Sequence, residues 1–320
     1  ELHRYQAKNE KELYKGAYQY DWTKEFTLHE TFMLNSVVHS THFNHSKFVA
    51  LRVKDAIVDQ FKKATGKRPN VDRENPDQRF LVRVTQDHVH LLWNTSGEPL
   101  YKRGYRSITG VAPLNEVLAA GILTFSDWEP TTPLIDPMCG SGTFLCEALI
   151  QAQHIAPGLL RPLFGFVKHQ SYDHKLWGKL KAEAEKAKNT LQPKLYGYDK
   201  LNKLVVATRT HLNQISPNDA KVKEANFFQL QKPVEKAMLV MNPPYNVRLP
   251  QDKIHSFYND IGSRLKHFWE GCDAWILSGN LEAIKHLGLR PKRRIKLYNG
   301  PIETKLVHLT LYRGSKKQKS

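Results

Sequence analysis

The spacing of apolar positions changes character near residue 100. Phe32, Leu34, Ser36 and Val38 fall on one side of an alternating run that predicts a strand over 31–38. Val49, Val53, Ile57 and Phe61 then recur every four residues. They predict a helix over 46–65, with Ser46 to cap it and Gly66 to end it. Two further alternating runs, Phe80-Val82-Val84 and Val89-Leu91-Trp93, flank the polar Gln86-Asp87 and predict a β-hairpin. The first hundred residues therefore read as a small α/β unit closing at Ser96-Gly97-Glu98-Pro99. A connection over 101–106 leads to a helix from Pro113, suited to a first helical turn, to Phe125. Beyond it, strands over 134–135, 195–198, 221–224, 238–241 and 274–278 alternate with helices over 143–152, 202–213 and 253–268. That order predicts a doubly wound α/β sheet, whose ligands bind beyond the carboxyl ends of the strands. The stretch from about 153 to 193 reads as an insertion carrying a charged outer helix over 173–190.

Composition narrows the class. Of the 320 residues 40% are hydrophobic and 25% charged, which excludes disordered, collagenous and simple coiled-coil chains. The net charge is +17, and Lys plus Arg exceed Asp plus Glu by 2 in residues 1–100, by 6 in 101–240 and by 9 in 241–320. Such a surface suits a polyanion, because neutralised phosphates release counterions, and it suits plain solubility as well. The densest run is Arg290-Pro-Lys-Arg-Arg-Ile-Lys296; the lysines of the tail, Lys316, Lys317 and Lys319, read as solvated. Cys139, Cys146 and Cys272 form neither a disulfide framework nor a CxxC zinc site, which points to a reducing, cytoplasmic compartment. No run reaches the roughly 18 to 20 apolar residues of a membrane span, and no signal peptide opens the chain. The absence of an initiator Met suggests part of something longer.

Candidate chemistry clusters at the strand ends. Asp136-Pro137-Met138-Cys139-Gly140-Ser141-Gly142-Thr143 joins a buried strand to a helix. Its glycines let a ligand approach the backbone, and the amides at the helix start can bind an anion. No Gly-Lys-Ser/Thr closes it as a phosphate loop, and the GxGxxG spacing of a dinucleotide site is missing. S-adenosylmethionine, with the loop around its methionine end, fits better; a tight turn without ligand is the bland alternative. Asp199 ends the next strand, where a carboxylate can accept from a ribose diol or simply cap a helix. After the third strand, Asn226 could hydrogen-bond adenine with Phe227 on its face, unless the phenylalanines belong to the core.

Asn242-Pro243-Pro244-Tyr245 follows the apolar strand 238–241. Two prolines stiffen the backbone where an α/β site belongs. An exocyclic amine on a planar ring has a delocalised lone pair, so its methylation depends on orientation more than on a base. The Asn242 side-chain oxygen and the Pro243 carbonyl can accept both amine hydrogens while Tyr245 stacks on the ring.

Together with Arg103-Gly-Tyr-Arg106, Ala112-Pro-Leu-Asn-Glu116, Val53-Lys-Asp-Ala-Ile-Val-Asp59 and Arg68-Pro-Asn-Val-Asp-Arg73, these motifs resemble the THUMP-domain guanine-N2 RNA methyltransferases. Among these the bacterial 23S ribosomal RNA enzymes are most similar, and only their first methyltransferase module is matched. The resemblance covers nearly the whole chain. It implies a THUMP RNA-binding domain over 1–98, a linker and leading helix over 99–125, a class I (Rossmann-like) methyltransferase sheet over 126–313 and a basic tail over 314–320. Such enzymes usually carry a further ferredoxin-like segment before the point where this chain begins. The implied cofactor is S-adenosylmethionine, held by 136–143, Asp199, Asn226 and Phe227, and the implied product is N2-methylguanosine, with RNA as partner and neither metal nor membrane. Arg103, Arg106, Arg248, Lys292, Arg293 and Arg294 are the candidates for gripping RNA. The chain departs from the family pattern at Asn226, commonly Asp, and at Asn246, commonly Gly. A transfer RNA guanine-N2 enzyme, an adenine-N6 enzyme and a non-catalytic assembly factor are the rival readings.

Three features point to no chemistry. His39, His42 and His45 read as scattered loop histidines, the six tryptophans as packing, and Cys139 as a small packing residue.

Overall fold

The computed structural model describes residues 1–107, 114–244 and 251–312. It divides into two compact units. One comprises Glu1–Leu100 with Pro162–Leu180, the other Tyr101–Arg161 with the chain from Lys181 onward.

The first unit is built from β1 (His3–Gln6), α1 (Glu10–Gln19), β2 (Thr31–His39), α2 (Ser46–Thr65), β3 (Asn70–Val71), β4 (Gln78–Thr85) and β5 (His88–Trp93). Its sheet runs β1-β5-β4-β2-β3, with β2 parallel to β3 and β4 and the other pairs antiparallel. The apolar stripe of α2 is fully used: Val49, Val53, Ile57 and Phe61 are buried against Trp22, Phe26, Phe32 and Phe80. Gly66 ends that helix in the left-handed region, at φ 74°. The N-cap is His45 and not Ser46: its Nδ1 accepts from the Phe48 amide at 3.2 Å. The hairpin turns at Gln86-Asp87 as its pattern predicts. Neither β1 nor α1 follows from the hydrophobic pattern, because only Leu13, Gly16 and Ala17 of α1 are buried. Polar chemistry starts that helix: Asn9 Oδ1 accepts from the Glu12 amide and Glu12 from the Lys8 amide.

The insertion does not simply lie outside the sheet that it interrupts. Residues 162–180 belong to the first unit. Phe166 donates its amide to the Thr95 carbonyl at 2.9 Å, and the Gln78 side chain donates to the Lys168 carbonyl at 3.0 Å. Lys168 reaches Asp77 at 2.8 Å; that ion pair and the Thr31 amide hold the Asp77 carboxyl down to about 2. The His169 ring lies 4.1 Å from Trp93, with Nε2 3.2 Å from the buried Glu25. The charged helix is α5 (His174–Lys186), shorter at both ends than the sequence suggests.

The second unit contains α3 (Glu116–Phe125), β6 (Leu134–Asp136), α4 (Thr143–Ala152), β7 (Leu195–Asp199), α6 (Asn202–Ile215), β8 (Lys221–Glu224), β9 (Met238–Met241), α7 (Gln251–Phe268), β10 (Asp273–Ser278), β11 (Arg293–Asn299) and β12 (Ile302–Thr310). Asn115 caps α3, and Pro113 lies outside the described residues. The seven strands run β11-β12-β10-β9-β6-β7-β8. From β10 to β8 neighbours are parallel, whereas β12 is antiparallel to both β10 and β11. Alternate strand residues serve two cores. Leu134, Leu195, Val240, Trp275 and Leu306 face α3, α4 and α6; Ile135, Tyr196, Leu239, Ile276 and Val307 face α7. Burial on both faces explains the unbroken apolar runs of β6 and β9. Among the described residues no helix is long and apolar enough to cross a membrane.

Replacing His169 by Ala removes a partner from buried Glu25, so the first unit should lose about 1–3 kcal/mol of stability. A lowered denaturant midpoint, followed by tryptophan fluorescence, checks this.

Candidate active site

The chain runs outward from β6 through β7 to β8, then returns to pair β9 on the opposite side of β6. The carboxyl ends of β6 and β9 thus flank the topological switch point, where α/β sheets bind their ligands. Leu134 pairs with Met238 and Ile135 with Leu239, so Asp136 and Asn242 leave neighbouring strands.

The loop 137–142 is held from beneath by α6. The Thr208 hydroxyl donates to the Gly140 carbonyl at 2.9 Å, and Asp199 accepts from the Gly140 amide at 3.0 Å. His211 Nδ1 lies 2.9 Å from the Ser141 carbonyl and must donate to it, which leaves Nε2 to accept from the Ser107 amide at 3.2 Å. Burial depresses the imidazole pKa, in keeping with this neutral tautomer. Gly142 is required twice over. Its φ is 83°, and a Cβ there would lie 2.5 Å from Thr208 Cγ2. Gly140 differs, since a Cβ would meet nothing within 4 Å and the loop opens into space. Pro137, Ser141 and Thr143 are buried. Cys139 is buried too, and burial pushes its thiol well up, as suits packing and not nucleophilic attack.

Carboxylates shape the pocket. Asp136 is buried, accepts from the Met138 amide at 3.2 Å, and has its pKa driven well up by burial, with the nearby Asp199 adding to the shift. Asp199 ends β7 in contact with the loop, and its other oxygen accepts from the Leu201 amide at 2.9 Å. Asn226 is exposed after β8 and accepts from the Phe228 amide. Phe227, expected on the cofactor, is 3% exposed and stacks against Trp269 in the core facing α7. The partly exposed ring is Phe228. Its ring lies 5.5 Å from Phe227 and packs at the margin of the same core, 5.7 Å from Phe257.

Asn242 sits at the end of β9 with its Oδ1 buried and without a hydrogen-bond partner among the described residues. Pro243 is buried and Pro244 exposed. Tyr245 and Arg248 lie outside the described residues.

The two arginines of Arg103-Gly-Tyr-Arg106, expected to grip RNA, are engaged inside the catalytic unit. Arg103 meets both oxygens of the buried Glu147 at 3.4 Å, and Tyr105 donates to that carboxylate at 3.1 Å. Arg106 donates to Thr143 at 2.8 Å and to the Leu114 carbonyl at 3.0 Å, with Glu116 3.5 Å away. Their side chains retain only 14% and 10% of their accessible surface. Burial raises the pKa of both Glu147 and Glu116, and the arginines oppose it. One signal for this network was present in the sequence: Glu147 is an acid inside the apolar run Thr143-Phe-Leu-Cys-Glu-Ala-Leu-Ile150. Arg293 is exposed, with its guanidinium 5.8 Å from the Trp275 ring and 3.4 Å from the Phe125 carbonyl. Lys292 and Arg294 are exposed.

A glycine loop open above Gly140, an acid ending the adjacent strand and an unpartnered buried amide oxygen across the switch point fit S-adenosylmethionine and an acceptor. The fold and this end of its sheet define a class I S-adenosylmethionine-dependent methyltransferase joined to a THUMP domain. The THUMP family matches residues 7–93, and the family described as the RMKL-like methyltransferase domain matches residues 103–308. The chain belongs to this RMKL-like methyltransferase family. It is 37% identical to the putative RNA methyltransferase slr0064 of Synechocystis sp., covering 96% of this chain and 80% of that one. It is 36% identical to the ribosomal RNA large subunit methyltransferase K/L of Psychromonas ingrahamii, where the match covers 91% of this chain but only 40% of that protein. A crystal structure of SMU.472, a putative methyltransferase complexed with SAH, superposes with a TM-score of 0.83 at 26% identity, covering 98% and 84% of the two chains.

Two outcomes test the loop's support. Gly142→Ala should cost about 1–3 kcal/mol of stability and weaken S-adenosylmethionine binding in calorimetric titration. Because the folded pKa of His211 is depressed, its contribution is present above about pH 6.5 and is lost as pH falls below that value. His211→Gln should flatten this acid-side loss in melting temperatures recorded from pH 8 to 5.5.

Proposed function

We propose that the chain methylates RNA at N2 of a guanine, in 23S ribosomal RNA, with residues 136–143, Asp199 and Asn226 holding S-adenosylmethionine. The observation that carries this reading is the buried Asn242 Oδ1 at the switch point, without a hydrogen-bond partner among the described residues. An acceptor oxygen left without a donor costs roughly 1–3 kcal/mol, so the arrangement favours a ligand that brings an N–H. S-adenosylmethionine supplies an electrophilic methyl group when bound. Asn242 Oδ1 accepts one amine hydrogen of the guanine and the Pro243 carbonyl the other, which turns the nitrogen lone pair away from the ring plane. The Pro243-Pro244 pair stiffens this grip, and the buried Pro243 anchors it in the core side of the turn. Tyr245 stacks on the base, which has to leave its own stack to arrive there. The THUMP unit, the excess of cations over 241–320 and the names of the two relatives, which specify RNA and large-subunit ribosomal RNA, support the substrate class.

With unmodified 23S ribosomal RNA and labelled cofactor, Asn242→Ala should lose at least about a hundredfold in turnover while S-adenosylmethionine binding persists. Digestion of the product and mass spectrometry should give N2-methylguanosine. Recovery of N6-methyladenosine would select the adenine reading, and absence of any transfer by the wild type would favour an assembly factor.

A further inference from the structure

We infer that one face of the β11–β12 hairpin is a stacking platform for single-stranded RNA, with a base lying on Tyr298 and flanking phosphates meeting Lys296 and Lys305. The inference rests on the reading of the substrate as RNA and adds where the strand is held. Tyr298 is 56% exposed, more than any other large hydrophobic side chain among the described residues. The opposite face of β11 needs no help from it, because Ile295 and Leu297 there already pack on the core against α3 and α4. Strand alternation places Lys296 beside Tyr298, and the Lys296 ammonium lies 5.4 Å from the ring centroid. Lys305 stands directly opposite Lys296 in the ladder, so both cations share the tyrosine's face.

Glu303, opposite Tyr298, pairs with Lys296 at 2.7 Å, but the two side chains retain 57% and 40% of their surface. An ion pair so solvated is weak and yields readily to a phosphate. Position supports the assignment. Lys296 and Lys305 are level with Ser278, the last residue of β10, so Tyr298 and the turn at Gly300 project past the carboxyl end of β10. Asn242 leaves the same end of the sheet on β9, three strands away, a lateral distance of about 14 Å. Protection of an edge strand from pairing would account for the lysines, yet it gives no reason for an exposed aromatic ring beside them. Aromatic rings flanked by cations are how proteins hold single strands without reading sequence.

The test is fluorescence anisotropy with a labelled, mixed-sequence single-stranded RNA of about ten nucleotides, alongside calorimetric titration of S-adenosylmethionine. Tyr298→Ala should weaken RNA binding about 5- to 150-fold with cofactor affinity unchanged, and Tyr298→Phe, which keeps the ring, should stay within about twofold of wild type. The double variant Lys296→Ala/Lys305→Ala should reduce the slope of log affinity against log salt by about 1.4. If Tyr298→Ala binds within twofold of wild type, or Phe fails to preserve binding, the platform is refuted while the proposed activity stands. If the wild type does not bind this strand, the platform is refuted, while the proposed activity is decided by transfer to 23S ribosomal RNA.

Discussion

The turn at Gly140-Ser141-Gly142 is the constraint on which the catalytic unit depends. Its backbone is gripped from α6 by Thr208 and His211 and from β7 by Asp199, while Arg106 ties down the first residue of α4. Three elements that would otherwise be free to shift are joined through one six-residue loop. The same bonds therefore serve fold and chemistry: they close the packing between α4 and α6, and they leave the outward side of the loop open for a ligand.

Around that turn the molecule separates rigid groups from groups that wait for a partner. The buried carboxylates Glu147 and Glu116 are neutralised by arginines and engaged in hydrogen bonds, as groups removed from water must be. Asn242 Oδ1 is the contrast, buried and without a partner among the described residues, at a backbone made stiff by two prolines. Two prolines in succession limit how far that oxygen can swing toward another donor.

Much of this was legible in the sequence, and the failures have physical causes. α2, α4, β9 and the hairpin β4–β5 declare themselves because each buries a regular stripe or run. β1 and α1 do not, since one has four residues and the other buries only the side chains of Leu13 and Ala17 beside Gly16. β11 was hidden by its charges: Arg293-Arg-Ile-Lys-Leu-Tyr298 is a period-two strand whose outward positions look like a basic run. In the site, the backbone elements were readable and the side-chain directions were not. A charged residue near a nucleic-acid enzyme's active site suggests phosphate, but Arg103 and Arg106 answer to acids distant in sequence, which only the folded chain brings to them. Phe227 and Phe228 differ by one position, and that position decides between the interior of a core and its margin.

The strap formed by residues 162–172 bears on how such a protein can be taken apart. It is encoded within the methyltransferase sequence and folded into the THUMP unit, contributing His169 to Glu25 and a backbone carbonyl to Gln78. Order along the gene is thus not the order of autonomy. The boundary near residue 100 marks where the chain passes from one core to the next, but the first unit needs sequence from both sides of it. Moving the first unit into another protein would therefore mean carrying two separate segments, residues 1–100 and 162–180, together.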